Sequence, residues 1–103
     1  MNNRSFFRLR LPFVDVEILS DGHATTARMK DISGGGVLLQ TSLHYRGPVT
    51  LLFQIEKEAF RFQAVPVRSV NGECAFQFQA LQEEERRRLM KCLIRMDAIR
   101  RKK

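Results

Sequence analysis

Tryptophan is absent from the 103-residue chain, and cysteine, histidine and tyrosine are scarce at two, two and one. The cysteines, Cys74 and Cys92, lie far apart, each inside an apolar pattern. That excludes a disulfide framework and leaves two buried, reduced thiols as the expectation. His23 and His44 stand alone, and neither Cys-x-x-Cys nor His-x-x-x-His spacing occurs. No metal centre and no histidine-based catalytic group is expected. With the carboxylates on solvent faces of strands or in the first turn of a helix, the chain reads as a non-enzyme. No apolar run approaches the ~18–20 residues of a membrane span. The first apolar cluster, Phe6-Phe7, is cut by Arg8 and Arg10, so a soluble, cytoplasmic protein without a secretory leader is expected.

Charge is present in excess of one sign and is unevenly placed. Eighteen Lys and Arg stand against eleven Asp and Glu, a formal charge of +7. Residues 1–10 carry three arginines and no acid, residues 11–80 are nearly neutral, and the remainder is again basic. Thirteen of the eighteen cations are Arg, whose planar fork favours bidentate recognition of anions over a merely solvated surface. At this length one domain with one modest core is expected.

From Phe13 to Ala80 the apolar period is two, which reads as antiparallel strands of a sandwich or small barrel. Val14, Val16 and Ile18 point one way and Asp15 and Glu17 the other; Ser20-Asp21-Gly22 turns the chain into a short strand, Thr25 to Lys30. Val37-Leu38-Leu39 reads as a short run buried on both faces. Val49, Leu51, Phe53 and Ile55 lead through a tip at Glu56-Lys57-Glu58 to Phe60, Phe62 and Ala64. Pro66, lacking an N–H, implies an edge or a bulge. Asn71-Gly72 is a type I′ hairpin signal before Cys74, Phe76, Phe78 and Ala80. From Gln82 the period becomes helical: Leu89, Leu93 and Met96 stack, with Met90, Ile94 and Ile99 widening the stripe. Glu83 to Glu85 and Arg100 to Lys103 match the two ends of the helix dipole. The expected architecture is all-β with one helix: about six antiparallel strands, closing into a barrel, then a C-terminal α-helix.

Two short constellations carry chemistry. Arg4-x-x-x-Arg8 places two guanidinium groups on one side of an extended chain, about 13 Å apart at ~3.3 Å per residue, a span that suits a dinucleotide-sized anion. Asp31-x-Ser33-x-x-Gly36 puts a carboxylate, a hydroxyl and flexible glycines where one strand gives way to the next. An Arg-x-x-x-Arg pair is expected about 1.6 times by chance at this Arg content, but Asp-x-Ser-x-x-Gly only about 0.01 times. The second motif is informative and the first is not, taken alone.

Together, in this order and some 22 residues apart, with Pro12 opening the first strand and an amphipathic helix at the end, these features resemble the PilZ domain family over essentially the whole chain. The resemblance implies a six-stranded β-barrel that binds the bacterial second messenger cyclic di-GMP, with residues 1–12 as a basic arm, 13–81 as the barrel and 82–103 as the helix of one domain. It implies Arg4, Arg8, Asp31, Ser33 and Gly36 as ligand-binding residues, with Asn3, Arg10 and Gly35 as further candidate contacts. Asn3 stands where many family members have another Arg, which implies one ligand per chain. Guanine chemistry agrees, because Arg can fork the O6 and N7 acceptors and a carboxylate can accept from N1 and N2. Residues 1–10, with three like charges and no strand pattern, are expected to become ordered on the ligand. The helix stripe is wide enough to leave an edge, with Ile94 and Ile99, for an effector protein or for a second copy in a homodimer.

Two other classes of function compete. A small basic barrel with eight Phe suits single-stranded nucleic acid, yet Phe53, Phe60, Phe62, Phe76 and Phe78 fall on core positions, which makes nucleic acid the weaker partner. An interaction adaptor that does not bind nucleotide, or that rests on a membrane surface through its basic helix, is the other.

Overall fold

The computed structural model describes residues 8–101. Seven strands precede one helix: β1 (Arg8–Arg10), β2 (Asp15–Ser20), β3 (His23–Ser33), β4 (Gly36–Gln40), β5 (Val49–Ile55), β6 (Glu58–Val70), β7 (Glu73–Gln79) and α1 (Glu83–Arg101). Strands β2 to β7 pair antiparallel in the order β3-β2-β5-β6-β7-β4, and β4 pairs back onto β3. The result is a closed six-stranded barrel with a C-terminal helix, as the period-two pattern led us to expect. Closure removes both sheet edges. The short β1 pairs with the end of β3 on the edge that β2 occupies farther back along the strand, with Leu9 opposite Ile32. This strand falls within the stretch expected to lack secondary structure. Leu9 and Leu11 are buried and hold it against the barrel.

Alternation fills the interior with Val16, Ile18, Leu51, Phe53, Phe60, Phe62, Phe76 and Phe78, among others. Phe62 meets Phe53 and Phe78 edge-on, with centroids 5.8 and 4.9 Å apart. Asn71 and Gly72 adopt φ of 50° and 79°, as a type I′ turn requires. Cys74 and Cys92 are free and buried.

Helix α1 lies against the barrel end where β3 meets β4 and β5 meets β6. Leu89, Cys92 and Leu93 are its buried residues, Met90 and Met96 are partly buried, and Ile94 and Ile99 are exposed. Arg88 fastens it: its guanidinium donates to Glu58 at 2.7 Å and to the Ala59 carbonyl at 2.9 Å, and lies 4.4 Å from the Phe60 ring centroid. Arg95 pairs with Glu56 at 3.2 Å, and Arg100 donates to the Arg10 carbonyl. No helix among the described residues is long and apolar enough to cross a membrane.

Candidate functional site

A β-bulge decides where Asp31 points. Met29 pairs with Leu39 and Asp31 with Leu38, so Lys30 is an extra residue that reverses the alternation of β3. Ala27 and Met29 face inward; continued alternation would send Asp31 inward too. Instead Ile32 is buried and Asp31 faces out. The aspartate thus stays in a polar setting without interrupting the core.

The strand ends in a tight glycine connection. Gly35 N–H donates to the Ser33 hydroxyl at 3.2 Å, and that hydroxyl donates to the Gly36 carbonyl at 3.5 Å. Ser33 is therefore buried and spends its hydroxyl on the loop it belongs to, fixing the turn. Phe78 N–H donates to the Gly35 carbonyl at 2.9 Å, tying the loop to β7. Gly36 lies so close to the Phe76 carbonyl that no Cβ fits there, which makes glycine a steric requirement. A Cβ on Gly34 would fall 2.9 Å from Met90 Sδ, so the same loop also rests on α1.

These elements line one open cleft of about 480 Å³. Arg8 comes from β1, Asp31 and Ser33 from β3, Gly36 and Leu38 from β4, and Gly35 from the loop between the last two. The Arg8 guanidinium donates to Asp31 at 3.4 Å. Five of the expected site residues are thus gathered: Arg8, Asp31, Ser33, Gly35 and Gly36. Arg10 does not line the cleft; its carbonyl accepts from Arg100. Arg4 and Asn3 lie outside the described residues.

The structure adds residues that the sequence did not single out. Arg68 from β6, Gln77 from β7 and Arg86 from α1 line the same cleft, as does the exposed Val67. Leu38 is a correction: read as buried on both faces, it is half-buried, because β4 alternates and turns Val37 and Leu39 inward and Leu38 to the cleft. Three arginines and one aspartate line this surface, giving it an excess of positive charge beside a single carboxylate acceptor.

At the opposite end of the barrel, His23 and His44, apart in sequence, share a groove of about 440 Å³ with Asp21 and Tyr45. Among the described residues no three His, Cys, Asp or Glu group closely enough to hold a metal ion. Of the described phenylalanines only Phe13 is exposed; the others are core, so they form no stacking platform.

Comparison with known proteins bears on this architecture. The PilZ domain family model matches residues 2–95. Among solved structures, the Bacillus subtilis inhibitor of motility superposes with a TM-score of 0.80 at 17% identity, covering 98% of this chain and 54% of that one. The PilZ domain of YcgR from Escherichia coli, solved with c-di-GMP, gives 0.74 at 19% identity over 98% and 96% of the two chains. The PilZ domain of CeSA from a cellulose-synthesizing bacterium gives 0.66 at 20% identity over 88% and 98%. No curated protein matches the sequence. A family match across nearly the whole chain, joined to the closed barrel and its Asp31-x-Ser33-x-x-Gly36 connection, places the chain in the PilZ domain family.

Proposed function

We propose that this protein is a cytoplasmic receptor for cyclic di-GMP that acts by binding and passes the signal to a partner protein. The observation that carries the reading is the convergence of Arg8, Asp31, Gly35 and Gly36 on one cleft, although they arrive from separate strands and a loop. Cyclic di-GMP carries two phosphodiester charges and two guanines. Arg8 can fork a phosphate or the O6/N7 edge of guanine, and Asp31 can accept from guanine N1–H and N2–H. Gly36, whose lack of a Cβ makes room for the Phe76 carbonyl, lets β4 lie close against β7 and so shapes the wall of the cleft. Arg4 belongs to the proposed ligand set through the motif it shares with Arg8.

Arg8 already holds Asp31, so ligand exchanges one partner of each for another and leaves no buried charge unpaired. The relay has a physical route. The ligand loop touches Met90, and the strand that carries Arg8 is fastened to α1 through Arg100. A ligand that moves either element shifts the position of α1. Calorimetric titration with cyclic di-GMP at tens of micromolar tests the reading: saturable heat with one ligand per chain is expected, and no heat or amide shift overturns it.

A further inference from the structure

A second bulge mirrors the one at Lys30. On β6, Pro66 pairs with Phe76 and Arg68 with Ala75, so Val67 is extra and the alternation reverses after Pro66. Phe60, Phe62 and Ala64 face inward; continued alternation would carry Arg68 inward as well, and the bulge turns it out. Asp31 pairs with Leu38, Leu38 with Ala75 and Ala75 with Arg68. Directly opposed residues of antiparallel strands share a face, so two bulges on separate strands set Asp31 and Arg68 on one outer row. They stand three strand spacings apart, about 14 Å along the sheet at ~4.8 Å per strand.

All four residues of that row line the cleft, and Arg86 of α1 lines it too. Neither Arg68 nor Arg86 makes an ion pair among the described residues, whereas Arg8, Arg28, Lys30, Arg87, Arg88, Arg95 and Arg101 each do. Glu73, the carboxylate of the groove adjoining Arg68, is held by Lys30 at 2.5 Å. Val67, displaced by the bulge, is an exposed apolar surface beside Arg68.

We propose that Arg68 and Arg86 form a second cationic subsite of the cleft, one that takes the phosphodiester of the ligand farther from Arg8 and Asp31. The inference rests on the cyclic di-GMP reading and deepens it. A ligand with a single phosphate engages only one end of the row. A cyclic dinucleotide spans it, and its far charge draws in a residue of α1, so the subsite selects for the dinucleotide and joins ligand to helix.

Titration of wild type, Arg68→Ala, Arg86→Ala and Lys57→Ala with cyclic di-GMP and with GMP tests this. Lys57, in the tip between β5 and β6, lines none of the cleft. Losing a charge-assisted contact should weaken cyclic di-GMP about 10- to 100-fold in each Arg variant while GMP changes far less. Lys57→Ala should bind as wild type, and all three exposed variants should melt with it. Wild-type binding with Arg68→Ala and Arg86→Ala unaltered overturns the subsite and leaves the receptor standing. Equal losses for both ligands, or a matching loss in Lys57→Ala, reduce the effect to net charge and overturn it as well. Failure of wild type to bind cyclic di-GMP overturns the receptor reading and the subsite with it.

Discussion

Arg8 meets Asp31 at 3.4 Å although its register partner across the strands is Ser33. The contact is diagonal, and the two side chains differ in setting: Arg8 is 62% exposed and Asp31 15%. A pair with one end in water contributes only about 0–1 kcal/mol to folding, because solvent and salt screen it.

Arg8→Ala is therefore expected to leave the melting temperature nearly unchanged and to cost about 2–4 kcal/mol in cyclic di-GMP binding, roughly 30- to 1000-fold. Asp31→Ala should weaken guanine ligands in particular, through lost acceptance from N1–H and N2–H. Titration and thermal melts on the same samples separate the effects; an Arg8→Ala variant that melts much lower and binds normally contradicts the assignment.

The glycines of the β3–β4 connection make different demands. In Gly36→Ala the new methyl meets the Phe76 carbonyl, which is fixed in β7, so backbone must move. A loss of about 1–3 kcal/mol is expected, lowering the melting temperature by about 5–20 °C. In Gly34→Ala the obstacle is Met90 Sδ, the far part of a flexible side chain that can turn away. The smaller melting shift should belong to Gly34→Ala, and the reverse order would show that the loop is not held as described.

Adjacent positions on α1 should behave oppositely. Leu93 is fully buried and Ile94 is 57% exposed. Leu93→Glu places an unpaired charge in the core and should unfold the domain or nearly so, whereas Ile94→Glu should alter stability by no more than about 0.5 kcal/mol. If Ile94 belongs to the output surface, its Glu variant keeps ligand affinity and loses partner capture or self-association. Denaturant melts of both variants, with sedimentation of the second, provide the check.

Burial pushes the Cys74 thiol above its ordinary value of 9.0, against a smaller opposing effect from Ser69, and burial likewise raises Cys92 despite the nearby Arg95 cation. The folded state therefore holds these protons to higher pH than the unfolded state. Stability from this source is complete below about pH 9 and declines as pH rises through the raised values. Below that range both thiols should resist a disulfide reagent in the native protein and react on unfolding. Fast labelling at pH 8 without denaturant would contradict their burial.

Much of this protein is legible in local pattern. Period-two alternation gives the strands, Asn71-Gly72 a turn, the leading glutamates and trailing arginines the helix, and Asp31-x-Ser33-x-x-Gly36 the connection between β3 and β4, because each rests on neighbours in the chain. The proline at 66 also marks its bulge. What local pattern does not contain is register. Alternation read through Lys30 or Val67 assigns the wrong face to every residue beyond, since an extra residue shows only against the partner strand. Leu38 sits in an unbroken apolar triplet that hides its outward turn, and Arg68 and Arg86, carrying no motif, look in sequence like any other surface cations. Barrel closure, which sets β4 between β3 and β7 and brings the start of α1 to the same cleft, is what gives those arginines a common site.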